Sequence, residues 1–108
     1  MIKDENFYYK VFEIVALIPF GKVTTYGSIA KAIGLRSSAR LVGTALRSAA
    51  DNSDLPYHRV VNRNGELTGK HSFPTPDYMK NALLAEGITF KGDAVDMSIH
   101  FWEVDLIK

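Results

Sequence analysis

Residues 22–47 have the sequence KVTTYGSIAKAIGLRSSARLVGTALR, and this stretch decides the fold because it predicts two short helices joined by a tight turn. Thr25 is suited to cap the first helix, since its hydroxyl can accept a hydrogen bond from a backbone N–H of the first turn. That helix is expected to continue through Ile33. Gly34 then supplies the left-handed conformation that stops it.

The second helix is expected to follow almost at once, capped by Ser37 or Ser38, and to run from Ala39 to about Ala49. Two short helices with a glycine-containing turn between them are typical of a helix-turn-helix. The apolar residues of the second helix that are available to the core are Leu41, Val42, Ala45 and Leu46.

Shorter elements surround this pair of helices. Apolar spacing indicates the helices, and glycine, proline and asparagine mark the turns. The predicted elements are a helix over 5–18, a polar loop over 51–54, an extended or irregular segment over 55–61, a turn over 62–65, a helix over 77–86, and short strands over 88–90 and 99–104. The fold class is therefore mostly α with a small β component, of the winged helix-turn-helix type. A length of 108 residues fits a single domain over 1–108.

The composition excludes several kinds of chemistry. The chain has no cysteine, hence no disulfide, thiolate metal site or thiol redox chemistry, and its three histidines are too scattered to predict a metal site. No motif indicates a cofactor. No apolar run approaches the roughly 20 residues that span a bilayer, and the acidic N-terminal residues do not resemble an export signal. We therefore expect no cofactor, no membrane partner and a cytoplasmic protein.

Charge is unevenly distributed, although the formal net charge is only +1. Residues 22–70 contain eight basic and three acidic residues, whereas both flanking segments contain more acids than bases. A basic centre between acidic ends favours one surface suited to phosphates. A solvated surface of mixed charge would produce the same pattern, so this signal is weak on its own.

The second helix carries the most specific pattern for reading DNA. Arg40, Gly43, Thr44 and Arg47 follow the i, i+3, i+4, i+7 spacing and therefore share one helix face. The small central residues would let the helix backbone approach another surface closely, while the arginines could bind phosphates or enter a duplex. The alternative is a solvated polar face, with the glycine tolerated for packing.

Four segments in order resemble one known family. They are residues 21–27 (GKVTTYG), 40–47 (RLVGTALR), 56–62 (PYHRVVN) and 84–87 (LAEG). The third segment resembles the Pro-Cys-His-Arg-Val active-site motif of the O6-alkylguanine-DNA alkyltransferases, with Tyr57 where that motif has its alkyl-accepting cysteine. The chain is most similar to the alkyltransferase-like proteins, homologues that lack this cysteine. The resemblance implies the fold of the alkyltransferases' C-terminal DNA-binding domain.

The same resemblance implies how DNA would be bound. The family approaches DNA through the minor groove with its helix-turn-helix, rotates the damaged nucleotide out of the stack and fills the vacancy with an arginine. Arg40 matches that arginine, and Tyr26 matches a tyrosine that crowds the phosphate of the flipped nucleotide. Gly43, Thr44 and Arg47 complete the expected DNA-binding set.

Six residues match the family's lesion pocket: Tyr57, His58, Val60, Asn62, Lys70 and Glu86. In the alkyltransferases the histidine, oriented by a glutamate, helps to deprotonate the thiol, and an asparagine supports the turn. A phenol has a pKa near 10 and cannot easily replace that thiol, so His58 and Glu86 are expected to brace the pocket. Val60 matches a residue whose backbone recognises guanine. Lys70 stands where some relatives place an arginine. A lysine at this position keeps the positive charge but lacks the planar group that could stack on the damaged base.

The leading hypothesis is a non-enzymatic sensor that binds and flips O6-alkylguanine, including bulky adducts, in double-stranded DNA. The resemblance also implies that a monomer passes the lesion to nucleotide excision repair proteins. Two alternatives remain open from the sequence. One is an enzyme in which Tyr57 accepts the alkyl group or the protein cleaves the damaged nucleotide. The other is a winged-helix transcription regulator, which would prefer a sequence to a lesion.

Overall fold

A computed structural model describes residues 4–34, 39–49 and 54–104, and side chains from residue 7 onward. It confirms a mostly helical fold with two small sheets. The α-helices are α1 (Asp4–Leu17), α2 (Tyr26–Ile33), α3 (Ala39–Ser48), α4 (Tyr78–Ala85) and α5 (Met97–His100). The strands are β1 (Thr24–Thr25), β2 (Val60–Val61), β3 (Phe90–Lys91) and β4 (Ala94–Val95), and 3-10 turns cover Tyr57–Arg59 and Lys70–Ser72.

The predicted caps of α2 are both present. The Oγ1 atom of Thr25 accepts a hydrogen bond from the backbone N–H of Ser28 at 3.0 Å. Gly34 has a φ of +100°, and its N–H donates to the carbonyls of Ala30 and Lys31. Ser37 and Ser38, the predicted caps of α3, lie outside the described residues, as do residues 51–53 of the predicted polar loop.

The apolar core has two parts, which meet at the parallel pair of β1 and β2. Side chains alternate between the two faces of a strand, and the two valines of β2 therefore face opposite ways. Val60 packs with α1, α2 and α3, whereas Val61 packs with α4 and the β3–β4 hairpin. The register pairs Thr24 with Val60 and Thr25 with Val61. This short pair thereby fixes Tyr26, which follows β1, relative to the 3-10 turn that precedes β2.

The C-terminal segment corrects one prediction. Residues 99–104 do not form a strand, because α5 extends to His100 and only Phe101 forms an isolated bridge, to Val23. The carboxylate of Asp96 accepts a hydrogen bond from the backbone N–H of Ser98 and caps α5, which explains the helix. The partner of β3 is β4, which the sequence did not predict.

A second correction concerns Leu41, predicted to reach the core. Its side chain is 50% exposed, because the buried stripe of α3 is formed by Val42, Ala45 and Leu46, with Ala49 just beyond the helix. Over the part of the chain that the structure describes, no helix has both the length and the apolar character needed to cross a membrane.

Candidate functional site

A cavity of about 410 Å³ lies between α3, Tyr26, the turn before β2 and the segment 68–73. Its volume is within the range of about 300–1,000 Å³ that is typical of small-ligand pockets. The structure brings six of the eleven predicted site residues together around it. These are Tyr26, Arg40, Gly43, Arg47, Tyr57 and Val60.

Tyr26 stands between two glycines from different parts of the chain. A Cβ atom on Gly43 of α3 would lie 3.9 Å from Cε1 of Tyr26, and a Cβ on Gly69 would lie 2.9 Å from its hydroxyl oxygen. The ring therefore packs between α3 and the segment 68–73. The small size of Gly69 leaves room for the hydroxyl.

Hydrogen bonds link polar side chains of α3 to one another and to the backbone of the same helix. The hydroxyl of Thr44 donates to the carbonyl of Arg40 at 3.2 Å, and Nη2 of Arg47 donates to Oγ1 of Thr44 at 3.0 Å. Nη1 of Arg47 lies 3.6 Å from the position of a Cβ on Gly43. Thr44 does not line the cavity, but it holds the Arg47 guanidinium against the helix at the cavity wall.

An aromatic series connects the cavity to the surface. The rings of Tyr57 and Phe73 meet edge to face with their centroids 5.2 Å apart, and Phe73 stacks on Tyr78 at 5.2 Å with an interplanar angle of 13°. Phe73 also lines the cavity. Sequence reasoning missed it as a site residue, because it lies in an irregular segment before Pro74 where no periodicity marks it.

His58 and Glu86 lie beside the cavity rather than along its wall. Nε2 of His58 is 2.7 Å from Oε2 of Glu86. The same carboxylate accepts hydrogen bonds from Nε of Arg59 at 2.9 and 3.0 Å and from the N–H of Gly21 at 2.8 Å. Arg59 also donates to the carbonyl of Ile18 at 2.7 Å. Glu86 thus joins the end of α4 to the turn before β2 and the loop after α1.

These bonds set the ionisation of the carboxyl group. Burial raises the pKa of Glu86, but hydrogen bonds from Arg59, the Gly21 N–H and His58 together outweigh it and hold the pKa below its ordinary value. The carboxylate is therefore retained as an anion. These bonds join Glu86 to His58, Arg59 and Gly21, and the bracing role of His58 and Glu86 stays a prediction.

Asn62 organises the turn after β2 instead of the cavity. Its Oδ1 accepts hydrogen bonds from the N–H groups of Asn64 and Glu66 at 3.0 and 2.8 Å, and its Nδ2 donates to the Glu66 carboxylate at 2.7 Å. Gly65 in this turn has a φ of +82°, and a Cβ there would lie 2.6 Å from the carbonyl of Val95.

Lys70 is exposed and does not line the cavity. It borders a second, more polar cavity of about 590 Å³ with Asp77 and Lys80. Its neighbours Gly69 and His71 line the first cavity in its place. A role for Lys70 against the damaged base therefore stays a prediction.

Within residues 4–34, 39–49 and 54–104, no three His, Asp or Glu side chains form a group that could hold a metal ion. The arrangement instead combines an aromatic wall, two arginines and a helix-turn-helix around one opening.

The family model for the DNA-binding domain of 6-O-methylguanine DNA methyltransferase matches residues 6–88, which include the whole cavity wall. The chain belongs to this family. The matched residues include both helices of the helix-turn-helix and the segment that carries Tyr57. The match also confirms the fold class predicted from the sequence.

Two similar proteins have names that refer to base flipping or to a likeness to alkyltransferases. The chain is 44% identical over 105 residues to the DNA base-flipping protein of Escherichia coli (strain K12), covering 94% of this chain and 78% of that relative. It is 38% identical over 87 residues to alkyltransferase-like protein 1 of Schizosaccharomyces pombe, covering 81% of each. The crystal structure of S. pombe Atl1 with damaged DNA containing O6-carboxymethylguanine matches with a TM-score of 0.78 and 34% identity, over 94% of this chain and 98% of that one. These findings confirm the resemblance to alkyltransferase-like proteins.

Proposed function

We propose that this protein recognises O6-alkylguanine in double-stranded DNA and does not repair it. The observation that carries the proposal is the cavity itself, which is lined by Tyr57 and bordered by the arginine-bearing face of α3 in a chain without cysteine. The resemblance matches Tyr57 to the alkyl-accepting cysteine. The similar Atl1 has been solved with damaged DNA, and the E. coli relative is named for base flipping. Both support a flipped lesion as the occupant.

The proposed mechanism balances two energies. Flipping a nucleotide costs a few kcal/mol in lost stacking and pairing. Arg40, exposed on α3, fills the vacated position in the duplex, and Tyr26 contacts the phosphate of the flipped nucleotide. Inside the cavity Tyr57 packs against the base or its alkyl group, and such stacking is worth about 1–3 kcal/mol. Gly43 and Thr44 let α3 approach the minor groove closely.

The protein holds the lesion without transferring the alkyl group. A thiolate is the nucleophile suited to that transfer, and the chain contains no cysteine. His58 is engaged with Glu86, which in turn holds Arg59 and Gly21. This group braces the cavity. A cavity of about 410 Å³ also accommodates bulky O6 substituents.

A sensor without repair chemistry requires a second system to remove the damage. We assign that step to nucleotide excision repair proteins, which bind the marked lesion together with this protein. The proposal places a monomer on DNA in the cytoplasm, at the nucleoid.

A binding experiment with matched duplexes tests the function. Fluorescence anisotropy should show tighter binding to a duplex with one O6-methylguanine than to the same duplex with guanine. Intact-mass measurement of protein and DNA after incubation should show no transfer and no cleavage. Equal affinity for the two duplexes would reject lesion recognition, and a preference that follows DNA sequence would favour a transcription regulator. A mass change on either molecule would favour an enzyme.

A further inference from the structure

The wall of the cavity has one sign of charge. The charged side chains that line it are Arg40 and Arg47, the imidazole of His71 also lines it, and among the described residues of the lining none is Asp or Glu. The remaining lining side chains are aromatic, aliphatic or hydroxyl-bearing. A concave site with low-dielectric walls concentrates the field of such groups on its contents.

Arg47 is fixed at this wall. Its bond to Thr44 is 3.0 Å long, and Thr44 is itself bonded to the carbonyl of Arg40. The guanidinium therefore lies against α3, close to Gly43, which is itself next to the Tyr26 ring. A guanidinium has five N–H donors, of which the bond to Thr44 uses one.

His71 lines the cavity from the segment whose Gly69 lies against the Tyr26 hydroxyl. It lies in the 3-10 turn Lys70–Ser72, two residues before Phe73, whose ring contacts Tyr57. His71 also borders the second cavity, which contains the carboxylates of Glu66, Asp77 and Asp93 and the ammonium groups of Lys70 and Lys80. The segment 68–71 thus separates a cavity with acids from one whose described wall has none.

We propose that the cavity binds O6 substituents ending in a carboxylate more tightly than neutral substituents of the same size, and that Arg47 and His71 provide this selectivity. The inference rests on the proposed function and names the adduct class that the same cavity favours. The guanidinium of Arg47 can donate charge-assisted hydrogen bonds to a carboxylate, which are stronger than bonds between neutral groups, and a ring N–H of His71 can donate a further hydrogen bond.

Phosphate binding and adduct binding predict different effects on affinity. Every duplex has the same backbone phosphates, and a cation that contacts only phosphates changes the affinity for all of them equally. A cation that reaches the adduct changes the ratio between two adducts. The ratio therefore separates the proposed role from ordinary DNA binding.

The test uses four duplexes of one sequence, with guanine, O6-methylguanine, O6-(carboxymethyl)guanine or O6-(carbamoylmethyl)guanine. The last two are nearly identical in size and differ in charge. At about 150 mM salt we expect the carboxymethyl duplex to bind about three- to tenfold more tightly than the carbamoylmethyl duplex. R47Q and H71Q should each lower this ratio, and the double variant should bring it close to one. H71K should retain it, and K10Q, which removes a charge from the exposed face of α1, should leave it unchanged.

The outcomes separate the two proposals. A ratio close to one in the unmodified protein, or a ratio that the double variant leaves unchanged, overturns the charge selectivity. If O6-methylguanine is still preferred to guanine, lesion recognition survives that result. If O6-methylguanine and guanine bind equally, the proposed function itself fails.

Discussion

The hydroxyl oxygen of Tyr26 lies 2.9 Å from the position that a Cβ atom would take on Gly69. These residues come from the start of α2 and from the segment that closes the other side of the cavity. Since Cβ atoms essentially never approach another heavy atom this closely, glycine at 69 is what permits the observed position of the phenol.

We expect G69A to displace the Tyr26 hydroxyl and to weaken lesion binding by about three- to tenfold, the cost of one misplaced hydrogen bond or two. The end of a tyrosine side chain can shift, so the thermal midpoint should change little. Anisotropy titrations and thermal melts measure the two effects. Y26F provides the matched control. If the phenol oxygen is the displaced group, Y26F and Y26F/G69A should bind equally, and a further loss in the double variant would locate the damage elsewhere.

Arg40→Ala should weaken binding to lesion-containing DNA by about tenfold or more, because the duplex position vacated by the flipped nucleotide is then unfilled and less of the few kcal/mol of lost stacking is offset. A 2-aminopurine base beside the lesion should also report less unstacking at saturating protein. Arg63→Ala removes an exposed arginine from the turn after β2 and is the control for charge alone. An equal loss in the two variants would contradict the stack-filling role.

Tyr57→Ala should reduce discrimination between O6-methylguanine and guanine by about fivefold or more, since one base-to-aromatic contact is lost. Affinity for undamaged DNA should change less. Tyr57→Phe keeps the ring and its edge-to-face contact with Phe73 and should preserve discrimination. If the alanine variant weakened both duplexes to the same extent, Tyr57 would not be a lesion contact.

Glu86→Gln should lower the free energy of unfolding by about 2–3 kcal/mol, because Arg59 loses its ionic partner in a largely buried site. The folded-state pKa of Glu86 is depressed, so its contribution is complete above the ordinary carboxyl pKa of 4.5 and is lost as pH falls through the lower folded value. Urea titrations between about pH 7 and pH 3 should therefore show the difference between variant and parent narrowing at acid pH. Glu13→Gln, on the exposed face of α1, should change stability by less than about 0.5 kcal/mol. A gap that widened at low pH would contradict the assigned sign.

Local chemistry made part of this structure predictable. Thr25 and Gly34 delimit α2 through hydrogen bonds within a few residues, and such caps can be predicted from the sequence. Leu41 was wrongly predicted to reach the core, because its burial depends on how α3 is rotated about its axis against α1 and α2. The prediction of a strand over residues 99–104 was wrong for a related reason. A short apolar run suits strand and helix alike, and the cap from Asp96 favoured the helix.

The site residues also divide into those that local motifs predict and those that only the tertiary structure places at the cavity. Tyr26, Arg40 and Tyr57 could be matched through motifs, and the structure places all three at one cavity. Phe73 and His71 could not be found this way, because they reach the cavity through the tertiary course of segment 68–73. A 3-10 turn decides which of two adjacent side chains borders the cavity, and spacing along the sequence does not record that choice.

Two adjacent valines have a consequence for how the protein loses its structure. Val60 belongs to the core of α1, α2 and α3 and also lines the cavity, while Val61 belongs to the core beneath α4 and the hairpin. Because both valines lie in the two-residue strand β2, loss of its pairing with β1 disturbs both cores at once, and we expect the two halves to unfold together. Since Val60 also lines the cavity, we expect the binding site to be lost in that same transition.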